Sequence, residues 1–299
     1  LTVPIVLALA SVVGMCRSMD MIVRQSVLPE IVGEEKLQNG VALSRTGRDF
    51  TQIIGPVCGG ILVEVAGTTY SYVVIVLLYA ASLLLIARVK GLPDSVTVRG
   101  RDSVIRNIKE GLSYVRSEKI IMGLLIIAFI VNLSAFPMNN TLLAVVAKDV
   151  MGTGATSLGW LMGAYSFGSL LGSLTIGSIS GMGSAGRVMV VGTVFWHVGI
   201  LVMAYIKWFY PALPVLVLVG MSQSFAMVTM ALMILKYTVP DMRGRVLGLR
   251  QLAVYGLPIG LLLSGYLAER NGVFSALIVN GAVGLVLLAL SLIRWSSLL

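Results

Sequence analysis

Nine stretches of this chain contain no aspartate, glutamate, lysine or arginine: 1–16, 50–63, 65–87, 120–147, 150–186, 188–206, 208–235, 251–268 and 271–293. A helix rises about 1.5 Å per residue, so about 20 residues cross a hydrocarbon core about 30 Å thick. Runs 1–16 and 50–63 are short and reach into flanking polar residues; the others are long enough or nearly so. The pattern predicts an all-α polytopic membrane protein with nine crossings. Composition agrees: 57% of the 299 residues are apolar and 12% charged, against about 45–50% and about 25% in soluble proteins. A water-surrounded globule, a disordered chain and a disulfide scaffold are excluded. Cys16 and Cys58 both fall in apolar runs and read as packing residues.

The formal charge of +9 acquires its meaning from where the charges lie. If the crossings alternate, segments 17–48, 88–119, 236–250, Arg187 and Arg294 share one side and hold 19 of the 22 basic residues. Lys148, Lys207 and Arg270 are left for the other side. Basic residues are retained on the cytoplasmic side, so this reading places the C-terminus in the cytoplasm and Leu1 outside, in a plasma (inner) membrane. The charge is thus a topological signal, and no nucleic-acid partner is expected. The chain opens on Leu1 within an apolar run, without a preceding basic stretch. A secretory signal is a poor fit, and the reading expects further membrane helices upstream.

A repeat recurs at an offset of 205 residues. Gly60-Ile-Leu-Val-Glu64-Val-Ala-Gly67 aligns with Gly265-Tyr-Leu-Ala-Glu269-Arg-Asn-Gly272, and Gly55 with Gly260. An apolar helix follows in each copy and ends near Arg88 and Arg294. Residues 1–89 therefore read as a three-helix block that returns as 208–294. Parallel six-helix halves mark secondary transporters; 120–299 shows all six, 1–89 the last three of the first half, so three of twelve are expected to precede the chain. Between the halves, the polar segment 90–119 carries Val104, Ile105, Ile108, Leu112 and Val115 at helical spacing. It predicts an amphipathic cytoplasmic connector resting on the membrane surface, or alternatively a lipid or partner site.

The ordered motifs carry a family likeness. Arg24-Gln-Ser-Val-Leu-Pro-Glu-Ile-Val, Leu37-Gln-Asn-Gly-Val-Ala-Leu and Gly55-Pro-Val-Cys-Gly-Gly60 are followed by Glu110-Gly-Leu-Ser-Tyr-Val, Gly168-Ser-Leu-Leu-Gly172 and Pro240-Asp-Met-Arg-Gly-Arg-Val-Leu-Gly248. Together they resemble the major facilitator superfamily, and more closely its bacterial efflux branch that includes macrolide and enterobactin exporters. The resemblance covers essentially the whole chain. It implies a two-bundle permease working by alternating access, exporting a small hydrophobic or amphipathic molecule in exchange for protons, and monomeric. An importer and a non-transporting truncated membrane protein are the alternative readings.

Charges inside a membrane are costly and default to functional hypotheses. Arg17, Asp20 and Arg24 lie at i, i+3 and i+7 on one helical face. Proton coupling or a cytoplasmic gate is one reading; snorkelling with an orienting ion pair is the other. Glu64 and Glu269, at matching positions near the outer helix ends, are either outer-gate residues or solvated helix ends. His197, the sole histidine, reads as a packing or hydrogen-bonding residue, with proton coupling as the alternative.

For a substrate surface the mid-helix residues Asn132, Phe136, Tyr165, Gln223 and Phe225 are the candidates, since rings give contact and amides orientation; each also suits interhelical packing. Gly159, Gly163, Gly168 and Gly172 form small-residue stripes that let helices approach closely. Gly55, Pro56, Gly59 and Gly60 form a packing motif inside a crossing, and in the resembled superfamily this motif marks antiporter-type exporters. No phosphate-cradling GxxxxGK[ST], HExxH or nucleophile elbow is present. The sequence predicts no enzyme, no catalytic residue, no metal and no cofactor. Its expected partners are a small-molecule substrate, protons and membrane lipid.

Overall fold

A computed structural model of the chain describes residues 5, 9, 11–16, 37–88, 104–178 and 185–295. Among these, every regular element is helical. The chain divides into two compact units, Leu1–Thr51 with Tyr72–Gly100, and Gln52–Ser71 with Arg101–Leu299. In the first, the described residues 11–16 are helical, and the apolar stretch from Tyr72 to Ile86 is largely exposed.

The helix α1 (Leu37–Ala87) runs through both units and carries Pro56. Runs 50–63 and 65–87 are separated in the sequence by Glu64, but the two helices that α1 comprises meet at a kink at Gly67, with φ 79° and ψ 169°. A carboxylate does not interrupt a helix, whereas this backbone region is essentially reserved for glycine. At the other end of the chain, α8 (Gly256–Arg294) breaks in the same way at Gly272, with φ 81° and ψ 158°. The two breaks are 205 residues apart, the offset of the sequence repeat.

The second unit contains α2 (Val104–Ser117), α3 (Lys119–Ser134), α4 (Ala155–Ser178), α5 (Ala185–Tyr205), α6 (Phe209–Tyr237), α7 (Arg243–Ala253) and α8. Five described segments are long and apolar enough to cross a bilayer: Phe50–Ala87, Lys119–Val150, Ala185–Tyr205, Phe209–Tyr237 and Arg243–Arg294. The 24-residue α4 is long enough, but its glycines and serines keep it less apolar than these. Neighbours follow one another around the bundle: α3 packs on α8, α8 on α5, α5 on α6 and α6 on α4. The core between them is aliphatic around Trp196, Ile121, Leu124, Met189 and Leu216, all fully buried.

Proline reshapes the run that was read as a single crossing over 120–147. Pro137 has no amide hydrogen to continue the ladder, and beyond it lie the π-helical turns Met138–Leu142 and Val146–Val150. Gly260 of α8 approaches the Leu133 carbonyl and the Pro137 ring so closely that a Cβ there would overlap them. Gly256 similarly faces the Phe129 carbonyl.

The amphipathic segment forms α2, but its partner is protein. Gly111 faces Arg245 Cβ and Leu249 of α7, and Val115 is buried. Arg245 Nη2 lies 2.9 Å from Glu110 Oε2, and the Val239 amide donates to Tyr114 Oη at 3.3 Å. α2 is docked on α7, and of its apolar residues Ile108 and Leu112 stay exposed, leaving one face free of the bundle.

Candidate functional site

The contact between α1 and the start of α4 is built from glycine and one carboxylate. A Cβ on Gly159 would overlap the Pro56 carbonyl, one on Gly60 the Ala155 carbonyl, and one on Gly163 would come within 2.8 Å of Val57 Cγ2. Above these contacts the Thr156 amide donates to Glu64 Oε2 at 2.9 Å. The first amides of a helix have no intrahelical acceptor. Gly154, just ahead of Ala155, has no side chain with which to supply one. Glu64 supplies it from another helix, with a negative charge at the positive end of the α4 dipole. A Cβ on Gly154 would stand 3.0 Å from Glu64 Oε2, so glycine also makes room for the carboxylate.

Glu269, the repeat counterpart, is exposed and has no hydrogen bond or ion pair among the described residues. Gly265, counterpart of Gly60, likewise faces open space. The two copies thus share a backbone break but differ in what the carboxylate holds. The cluster Arg17, Asp20 and Arg24 lies outside the described residues.

The packing motif is also narrower than the sequence suggests. Among the described residues a Cβ at Gly55 or Gly59 would meet nothing within 4 Å, so the close packing falls to Gly60 and the Pro56 carbonyl. Gly168 and Gly172 pack instead on α6, against Val217, Met221 and Ser224.

The substrate candidates are scattered over this unit. Asn132 is buried and donates to the Ala128 carbonyl of its own helix at 2.8 Å. Phe136 stands edge-on to Trp196, with ring centroids 5.1 Å apart. Tyr165 is buried with its hydroxyl unpartnered, as is Gln223 Oε1. Phe225 packs its Cβ toward Gly192. None of the five lines either cavity described in this unit, one beside Lys207 and one between α2 and α7.

His197 holds a different position from any that spacing could indicate. It is fully buried, with Nδ1 2.8 Å from the Thr193 carbonyl and Nε2 2.9 Å from Ser134 Oγ. The carbonyl only accepts, so Nδ1 carries a proton; Ser134 Oγ also lies 2.7 Å from the Ile130 carbonyl, so its one hydroxyl proton is shared between that carbonyl and Nε2. Gly284 of α8 lies against the imidazole, where any Cβ would overlap the ring. The histidine therefore pins α3, α5 and α8 together. The sequence holds a weak signal for this, an isolated histidine in an apolar helix, but Ser134 is 63 residues away.

Comparison with known proteins decides the family: residues 1–297 match the family described as transmembrane secretion effector. The chain belongs to the major facilitator superfamily through that family. Among curated proteins, none matches the chain. Membership makes it a multi-pass membrane protein of a transporter family, and not an enzyme.

Proposed function

We propose that this chain is the larger part of a proton-coupled exporter that moves a small hydrophobic or amphipathic molecule across the bacterial plasma membrane by alternating access. Nine helices cross the membrane in this reading, three more precede them, and the C-terminus is cytoplasmic. The observation that carries it is the pair of matched breaks at Gly67 and Gly272. Two copies of one helix–break–helix unit, repeated in the same order along the sequence, are what parallel transporter halves require. The family supports transport; the distribution of lysine and arginine supports the orientation.

Within this mechanism the Glu64–Thr156 contact is the outer gate. It ties the end of one membrane helix to the beginning of another, and a single hydrogen bond with a few close glycine contacts is a junction that can part and reform. Direction and coupling are tested by loading proteoliposomes with rhodamine 6G and following its loss. Faster loss with the protein present, and a further increase under an imposed proton gradient, is the expected result. Loss equal to that of empty liposomes rules out export of this dye, and loss indifferent to the gradient rules out coupling.

A further inference from the structure

A cavity of about 340 Å³ opens where three elements end together. Val146 and Val150 come from the second π-helical turn, Met203, Ala204, Tyr205, Ile206 and Lys207 from the end of α5 and its following loop, and Val273, Phe274 and Leu277 from α8 just past the Gly272 break. Its floor is apolar, with Val146, Met203, Val273 and Leu277 buried. The Tyr205 and Phe274 rings form one wall, edge to face with centroids 5.3 Å apart. Lys207 is the only charged side chain in the lining, and among the described residues it has no carboxylate partner.

The surroundings place the mouth of this cavity at the edge of the bilayer. Tyr205, Trp208 and Tyr210 are all strongly exposed there. Such rings collect at headgroup depth, where one end is apolar and the other wet. A lysine at the same level keeps its stem in hydrocarbon and its ammonium among phosphates. The volume is at the low end of the ~300–1,000 Å³ typical of ligand sites, which suits part of an aliphatic chain better than a bulky polycyclic solute. An apolar floor under a single interfacial cation is complementary to an amphipathic anion supplied by the membrane itself.

We propose that this cavity is an anionic phospholipid site, with one acyl chain between Val146, Met203 and Leu277 and the headgroup phosphate paired with the Lys207 ammonium. The assignment does not depend on transport direction or coupling; it requires only that the chain be membrane-embedded. Lys148 and Asp149, on the same π-helical turn, are both exposed, neither lines the cavity and their charges offset, so Lys207 alone sets the charge of the lining.

Photocrosslinking tests the site directly. The protein is placed in phosphatidylcholine nanodiscs containing a trace of phosphatidylglycerol with a diazirine at the acyl terminus, irradiated, and digested for mass spectrometry. Adducts are expected on Met203, Phe274 or Leu277. A basic residue near anionic lipid changes occupancy about fivefold, so Lys207→Gln is expected to lower these adducts by about that factor and Lys207→Arg to preserve them. The exposed position of Lys207 leaves folding intact in both variants. The same diazirine carried on phosphatidylcholine is expected to label weakly. Equal labelling by the two lipids, or equal labelling of wild type and Lys207→Gln, overturns the proposal.

Discussion

Glu64 Oε2 accepts the Thr156 amide at 2.9 Å, across 92 residues of sequence, and so caps a helix to which it does not belong. The contact combines a helix-end charge interaction with an acceptor that Gly154 cannot provide. Its loss is expected to loosen the start of α4 without unfolding the bundle, because Glu64 itself is exposed. With Cys16 and Cys58 replaced by serine, a cysteine introduced at Thr153 reports this. Glu64→Ala is expected to raise its rate of modification by a membrane-impermeant maleimide several-fold, and Glu64→Gln, which retains an acceptor, by less.

Two glycine substitutions separate packing from mere membership of a motif. Gly159→Ala drives a methyl group into the Pro56 carbonyl, and overpacking of this kind costs about 1–3 kcal/mol. Gly59→Ala adds the same methyl group to open space. Thermal unfolding in detergent is expected to show a clear loss for the first and nearly none for the second.

The histidine pin gives a spectroscopic expectation. His197 is the only histidine in the chain, so its ring nitrogens give one set of ¹⁵N resonances, and these are expected to report the Nδ1–H tautomer. Ser134→Ala removes the hydroxyl that pairs with Nε2 and is expected to cost about 0.6–2 kcal/mol. Gly284→Ala forces the imidazole out of its slot and is expected to cost more. A wild-type spectrum with Nδ1 unprotonated would contradict the hydrogen bond to the Thr193 carbonyl.

On the cytoplasmic-facing reading of α2, its docking rests on burial more than on charge. The Arg245–Glu110 pair is partly solvated, with 28% and 38% side-chain exposure respectively, and such pairs couple by roughly 0.2–1 kcal/mol. Val115→Asp is therefore expected to release α2 from α7, seen as fast amide exchange across Val104–Ser117. Glu110→Ala is expected to leave most of that protection in place.

The long-period features of this protein were legible in its sequence, and the cross-chain contacts were not. The 205-residue repeat is visible because Gly67 and Gly272 must both be glycine to take the same left-handed backbone. Apolar runs likewise locate α3, α5, α6 and α8, since membrane insertion leaves few other patterns. Glu64 could be singled out by its symmetry with Glu269, but nothing local announces that its acceptor serves Thr156. The same holds for Ser134 beside His197, and for α2, whose apolar face suits either a membrane or a protein surface. Hydrophobic periodicity specifies that a face is buried; it carries no information on what buries it. Pro137 marks a disruption in its run, while the π-helical turns beyond it and the close approach of Gly260 to its ring have no sequence signal.

The central claim is that the Glu64 turn of α1, just ahead of the Gly67 break, and the Thr156 end of α4 part and rejoin during transport. Spin labels at Val65 and Thr153, with distances read by pulsed electron resonance in nanodiscs, test it most directly. Two distance populations are expected, with rhodamine 6G and a change of pH shifting the balance between them, and Glu64→Ala enriching the longer one. A single short distance, unchanged by dye, pH or Glu64→Ala, would contradict the account.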